Sequence, residues 1–278
     1  MESFISLWQN LPAQITPYLF SIGSFQLRYY SLMYIVAFVI VYFLVIYRIK
    51  KEELKYTSEN IQDYLVWAMV GVLLGARLGY VLFYNLDYYL DHPLEIFLPF
   101  TFSDGIRFTG ISGMSYHGGV IGVAVMTALF CRRHNFNFWK FADMISPAIP
   151  LGFTFGRIGN FINGELFGRV TTMPWGMYFP LDPGGHLRHP SQLYEAFFEG
   201  IFLFAILWII RKKPSFDGAL LGLYLFGYGF VRFMIEFFRE PDYMVGAISI
   251  GQFLCLFMML GGIGLLIWRK KAATEKMR

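Results

Sequence analysis

Charge is what this chain has least of. Asp, Glu, Lys and Arg make up 15% of its 278 residues, where an ordinary soluble domain carries about 25%. The shortfall excludes a large soluble domain and leaves a polytopic membrane protein, with no nucleic-acid partner expected. Cysteine is scarce as well. Cys131 and Cys255 lie far apart with no partner motif, so neither a disulfide nor a metal site is expected and both read as packing residues. The opening residues, "MESFISLWQNLPAQITPYLF", lack a basic stretch ahead of an apolar one, and no cleavable signal peptide is expected.

What the chain has instead is apolar length. Hydrophobic residues reach 56% and aromatics 20%, with 31 Phe and 18 Tyr, which suits a lipid-facing surface with interfacial belts. A span needs about 20 mostly apolar residues. Seven stretches qualify, at about 29–47, 63–84, 113–131, 141–162, 191–210, 218–238 and 248–268. Basic clusters follow the first, third, fifth and seventh: "RIKKEELK", "CRRHNFNFWK", "RKKP" and "WRKKAATEKMR". Those alternate connections are cytoplasmic by the positive-inside rule, which puts the N-terminus outside and the C-terminus inside. The expected fold class is an all-α integral membrane protein, a single polytopic domain over 1–278 with seven transmembrane helices.

Lysine is missing from the other side. Every lysine falls in a cytoplasmic segment, whereas Arg28, Arg77, Arg107, Arg157, Arg169, Arg188, Arg232 and Arg239 lie in spans or outer connections. Recognition of phosphate or carboxylate by a planar fork produces that bias. Contact with outer-leaflet headgroups produces it too.

The polar residues inside the spans then fall at one depth. In "GRIGNFINGELFGR" (156–169), Arg157 and Asn160 share a helical face that Gly164 is expected to continue. Gly152, Gly156 and Gly159 form a neighbouring small-residue stripe, and Pro147 and Pro150 are expected to bend the inner half of that span. "VRFMIEFFREPD" sets Arg232, Glu236 and Arg239 at i, i+4 and i+7. His117 opens the third span with Gly118 and Gly119 leaving space beside its ring, Tyr30 opens the first, and Tyr194 with Glu195 opens the fifth. All of these lie in the outer half. An unpaired intramembrane arginine costs about 2.5–3.5 kcal/mol on insertion scales, so several at one level imply a partner, most simply an anionic headgroup. Plainer readings stand beside this one. Arg232 and Glu236 also suit a structural ion pair; Arg77 either works or pairs with an acid beside a Gly71, Gly75, Gly79 packing seam; His134 reads as solvated, and His92, His186 and His189 as loop polar residues.

"GRIGNFINGELFGR", together with "SYHGG", "RHPSQLYEAF", "YSLMYIVAF" and "VRFMIEFFREPD", closely resembles bacterial prolipoprotein diacylglyceryl transferases in family order from about residue 20 to 255. The resemblance implies an inner-membrane transferase that moves the diacylglyceryl group of phosphatidylglycerol onto the lipobox cysteine thiol of a prolipoprotein signal peptide. The product is a thioether, and glycerol phosphate is released. It implies functional positions at Tyr30, His117, Arg157, Asn160, Glu165, Gly168, Arg232, Glu236 and Arg239, and neither metal nor soluble cofactor. The chemistry fits these residue types. A free thiol near pKa 8.5 is only a few per cent ionised at neutral pH, so a base such as His117 or a strong arginine field is needed. Arg157 and Arg232 suit clamping of the phosphodiester; Asn160 and Tyr30 suit hydrogen bonds to phosphate or glycerol; Glu165, Glu236 and Arg239 suit orienting the arginines, and Gly118 and Gly119 suit close approach of substrate. A flippase for anionic lipids would also use arginines and broken helices, yet would show repeats and polar groups on both sides of the midplane. A purely structural membrane protein would not need the convergence.

The expected topology is open to a direct check. Cysteine-accessibility labelling should find positions near Pro183 exposed outside and positions near Lys212 exposed inside; the opposite pattern moves the polar cluster to the inner leaflet.

Overall fold

The computed structural model describes residues 2–22, 25–98, 100–101, 107–108, 113–241 and 243–277. Contacts within the chain group into two compact units: Met1–Glu52 with Ala142–Arg278, and Glu53–Phe141. Among the described residues, four helices are long and apolar enough to cross a membrane: Tyr29–Lys51, Ser58–Tyr84, Ser191–Ile210 and Ile250–Glu275. Ala219–Ile235 is apolar but shorter. The fold is mostly helical, though not wholly: two-stranded antiparallel hairpins pair Tyr18–Ile22 with Phe25–Arg28, Phe100–Thr101 with Arg107–Phe108, Met177–Tyr178 with Leu187–Arg188, and Met244–Val245 with Ile248–Ser249.

The expected span over 141–162 is two helices, Phe138–Ile145 and Ile149–Ile162. Proline explains the break. Pro147 has no N–H to continue a helix, and Pro150 is tolerated in the first turn of the next. Ser146 closes the gap by donating its Oγ to the Ala142 carbonyl at 2.7 Å, and the Ala148 N–H reaches Ile145 at 2.9 Å. Asp143, just before the break, accepts N–H bonds from Gly218 (2.7 Å) and Leu221 (2.9 Å) and so caps helix Ala219–Ile235. Arg48 is buried at the same end, with its Nη1 on the carbonyls of Asp143 and Met144 and Glu52 bridging it to Arg211.

Helix Ile149–Ile162 packs closely against its neighbours. A Cβ on Gly152 would meet Val41 at 2.7 Å, and one on Gly159 would meet Tyr30 at 3.0 Å, so two members of the expected glycine stripe serve close approach to helix Tyr29–Lys51. The third does not: nothing described lies within 4 Å of where a Gly156 Cβ would stand. On another side Thr154 donates to the Ala196 carbonyl at 3.2 Å, where helix Ser191–Ile210 widens into a π-helical stretch over Glu195–Phe202. Gly200 admits the Thr154 hydroxyl, since a Cβ there would lie 1.9 Å from it.

The second unit is built on helices Ser58–Tyr84 and Tyr116–Arg133. Thr57 and Asn60 close a capping box on the first, and the Ser115 hydroxyl accepts the Gly118 N–H on the second. Between them runs the expected seam: a Cβ on Gly71, Gly75 or Gly79 would stand 2.9, 2.3 or 2.7 Å from backbone of Gly122 or Gly118. Arg77 faces away from this contact and donates to the carbonyls of Ile96, Glu95 and Gly113, so it holds a turn in place.

The two glycine environments predict opposite outcomes. Gly75→Ala forces a methyl into backbone and should cost about 1–3 kcal/mol of stability. Gly264→Ala, on helix Ile250–Met277 with open space around it, should be neutral or stabilising by up to about 1 kcal/mol. Thermal unfolding of the solubilised protein reads both, and equal stabilities would rule out close approach at the seam.

Candidate functional site

Helix Ile149–Ile162 ends in a way that aims three side chains. The Glu165 N–H bonds to the Asn160 carbonyl (3.1 Å) and the Gly164 N–H to that of Phe161 (3.0 Å), the paired bonds of a Schellman stop. Gly164 sits at φ +69°, which only glycine adopts freely, so it ends the helical face it was expected to continue. Leu166 also has positive φ, +58°, an uncommon and strained conformation for a leucine. The reversed chain brings Glu165 back over the helix end. Its Oε1 accepts from Asn160 Nδ2 at 2.9 Å and Asn163 Nδ2 at 3.2 Å, while Asn160 Oδ1 accepts from Arg157 Nη1 at 3.3 Å.

Arg157 leads on to a fully buried carboxylate. Glu195 Oε2 takes Arg157 Nε at 2.9 Å and Arg232 Nη1 at 2.7 Å, and Glu195 Oε1 takes Arg239 Nη1 at 2.9 Å. Arg232 Nη1 also reaches Glu199 at 3.4 Å, and its Nη2 lies 3.3 Å from Glu236. Glu236 is 3.6 Å from Arg239 Nε. Three arginines and three glutamates therefore interlock, drawn from the helix end at 157, the π-helical stretch and the segment around 232–239. The arginine side chains keep 12–16% of their surface exposed while Glu195 and Glu199 keep none. The carboxylates sit behind and the cations in front. Burying Glu195 unpaired would be prohibitive, and removing one member of a buried pair costs about 3–5 kcal/mol.

The segments that follow helix Ile149–Ile162 and precede Ser191–Ile210 seat this cluster. The Gly168 N–H bonds to the His189 carbonyl at 2.8 Å, and a Cβ on Gly168 would stand 2.3 Å from the Phe238 carbonyl, so glycine is required for two strands of chain to meet. Arg169 donates Nε to the Arg239 carbonyl at 2.7 Å. The His189 ring hydrogen-bonds the Tyr194 hydroxyl at 3.1 Å and packs edge-on to Phe238; burial pulls its pKa down. Gln192, fully buried, donates to the Glu165 carbonyl at 2.7 Å. Farther out, Arg188 grips both oxygens of Asp182 at 3.0 and 2.9 Å and also pairs with Glu240. Tyr30 stands against Gly159, its hydroxyl 3.0 Å from that of Tyr34.

The structure thus brings together Arg157, Asn160, Glu165, Arg232, Glu236 and Arg239, with Gly168 and Tyr30 packed around them. His117, Gly118 and Gly119 belong to the second unit. The His117 side chain is exposed in the first turn of helix Tyr116–Arg133, and Gly118 gives its missing side chain to the seam with Gly75 and Gly79. Sequence reasoning places Glu195 among the converging residues without a role and passes over Glu199 and Gln192. The signal for Glu199 is present: a second carboxylate one turn on in an apolar helix.

A family model described as prolipoprotein diacylglyceryl transferase matches residues 17–268. The chain is 56% identical to the phosphatidylglycerol–prolipoprotein diacylglyceryl transferase of Chlorobaculum tepidum, across 99% of this chain and 97% of that protein. Proteins of the same name from Campylobacter hominis and Pseudoalteromonas translucida are 44% and 45% identical, over 98% and 94% of this chain and 98% and 96% of their own lengths.

The loop latch carries a pH dependence of definite sign. The hydrogen bonds from Arg188 hold Asp182 down at about 2 from an ordinary 3.8. A depressed carboxylate contributes its full stability above the unfolded value, near 4, and loses it as pH falls toward 2. Hydrogen exchange of 177–188 should accelerate through that window in the wild type. In Asp182→Asn the loop should exchange fast at neutral pH and show no added acid response there; an unchanged wild-type loop at pH 2.5 would remove the latch.

Proposed function

Because the chain belongs to the prolipoprotein diacylglyceryl transferase family, we propose that it transfers the diacylglyceryl group of phosphatidylglycerol to a prolipoprotein, the first step of lipoprotein maturation. The acceptor is the lipobox cysteine of the signal peptide. Its sulfur forms a C–S bond to a glycerol carbon of the lipid while the C–O bond to phosphate breaks. The phosphate leaves as glycerol phosphate with that electron pair, and the thiol proton goes to a base.

The observation that carries this reading is the Glu195 cluster, with guanidinium edges left toward the outside and carboxylates behind them. With Arg157 held through Nε and Nη1 and Arg232 through Nη1 and Nη2, the guanidinium surface that stays exposed is preorganised to receive the phosphodiester and stabilise its growing charge. Asn160 and Tyr30 then supply hydrogen bonds to phosphate or glycerol hydroxyls, and Glu165, Glu236 and Arg239 fix the arginines. His117, beside Gly118 and Gly119, takes the thiol proton. The enzyme works in the bacterial cytoplasmic membrane as a seven-span protein with its N-terminus outside. Helix Ser191–Ile210 supports the depth: Glu195 lies near its start, and 16 residues later, about 24 Å along, comes the basic "RKK". That spacing supports a position for the cluster in the outer leaflet.

An assay with purified protein, labelled phosphatidylglycerol and a lipobox peptide tests the reaction directly: label must appear on the peptide cysteine. Arg157→Lys and Arg232→Lys keep charge but lose the fork, so each should lose about 2 kcal/mol or more of transition-state stabilisation with the protein still inserted. Normal turnover in both removes the clamp. His117→Gln should fail near pH 7 and recover disproportionately toward pH 9, where the free thiol ionises unaided. A mutant-to-wild-type ratio that stays flat across that range removes the base role.

A further inference from the structure

The cluster has a second support that neither the family resemblance nor the arginine motif points to. Helix Ile250–Met277 begins with a capping box: Ser249 Oγ accepts the Gln252 N–H at 3.1 Å, and Gln252 Oε1 accepts the Ser249 N–H at 3.0 Å. The Ser249 hydroxyl still has its proton to give, and it donates to Glu236 Oε1 at 3.1 Å. The same carboxylate lies flat against the first turn, where a Cβ on Gly251 would stand 2.4 Å from Oε1 and 2.7 Å from Cδ. Ser249 and Gln252 are buried, 1% and 4% exposed, so water cannot replace this contact. A carboxylate at the amino end of a helix is also favoured by the helix dipole. Glu236 turns its other oxygen to Arg232 (3.3 Å) and Arg239 (3.6 Å).

We propose that Ser249 and Gly251 are positioning residues for the transfer reaction: the amino end of helix Ile250–Met277 holds the Glu236 carboxylate in one place, and Glu236 sets Arg232 and Arg239 against the phosphate. The segment "S-I-G-Q" at 249–252 thus serves two purposes with one hydroxyl, starting the helix and aiming the carboxylate. The inference rests on the arginine clamp proposed above.

The test is turnover with labelled phosphatidylglycerol and lipobox peptide, measured as kcat and KM beside thermal stability. Ser249→Ala should lower kcat about tenfold, the size of one lost charge-assisted hydrogen bond, and Ser249→Thr should restore most of it. Gln252→Ala weakens the cap and leaves the hydroxyl-to-carboxylate bond, so it should cost stability with kcat within about twofold of wild type. The decisive measurement is a double-mutant cycle: in a Glu236→Ala background, Ser249→Ala should cost nothing further in kcat. Wild-type kcat in Ser249→Ala, or a loss that repeats in full without Glu236, overturns the proposal. If Gly251→Ala displaces the carboxylate it lowers kcat while adding helix propensity; a fully active Gly251→Ala enzyme overturns the glycine's part. Failure of the clamp itself is recognised separately, by normal turnover in Arg157→Lys and Arg232→Lys.

Discussion

A carboxylate with no surface exposed to water must have its charge met by protein donors, and Glu195 meets it with three guanidinium groups. Desolvating such an ion costs several kcal/mol, recovered only when partners are close and well aimed. Much of the first unit's local geometry can be read as serving that alignment. The Schellman stop at Gly164 turns the chain so that Glu165 and Asn160 support Arg157. The widened turn at Glu195–Phe202, wedged by Thr154, sets two carboxylates of one helix on Arg232. Gly168 lets its loop meet the segment that carries Arg239.

The same arrangement explains how cations are kept ready inside a largely apolar protein. Each arginine is fixed by acids on its buried side and keeps a fraction of its surface open. In the proposed clamp, a phosphate arriving there would meet donors that need no reorganisation, in surroundings where charge is weakly screened. The cost of holding them is spread over Glu195, Glu199 and Glu236, and the last of these is itself anchored on a helix end through Ser249. Glycine does two tasks: close approach of helices, along the Gly71, Gly75 and Gly79 seam and at Gly152 and Gly159, and chain reversal at Gly164.

Much of this was legible in the amino-acid order. Low charge and long apolar runs determined a membrane protein, and "GRIGNFINGELFGR" and "VRFMIEFFREPD" named six of the polar residues that meet. These properties are local, and local periodicity and composition report them. The break at Pro147 was visible as a bend, because a missing N–H is a property of one residue.

Partnership was not legible, because it depends on which helix faces which. The sequence by itself determined that Arg157, Arg232 and Arg239 needed partners at one depth. Only the tertiary structure decided that Glu195 would be shared by all three, that Glu199 would join it, and that Glu236 would divide itself between Arg232 and the start of the last helix. Gly156 and Gly159 look alike in the chain, yet one faces open space and the other Tyr30. The physical reason is common to all these cases: a buried charge or a missing side chain states a requirement, and the packing of distant segments determines what satisfies it.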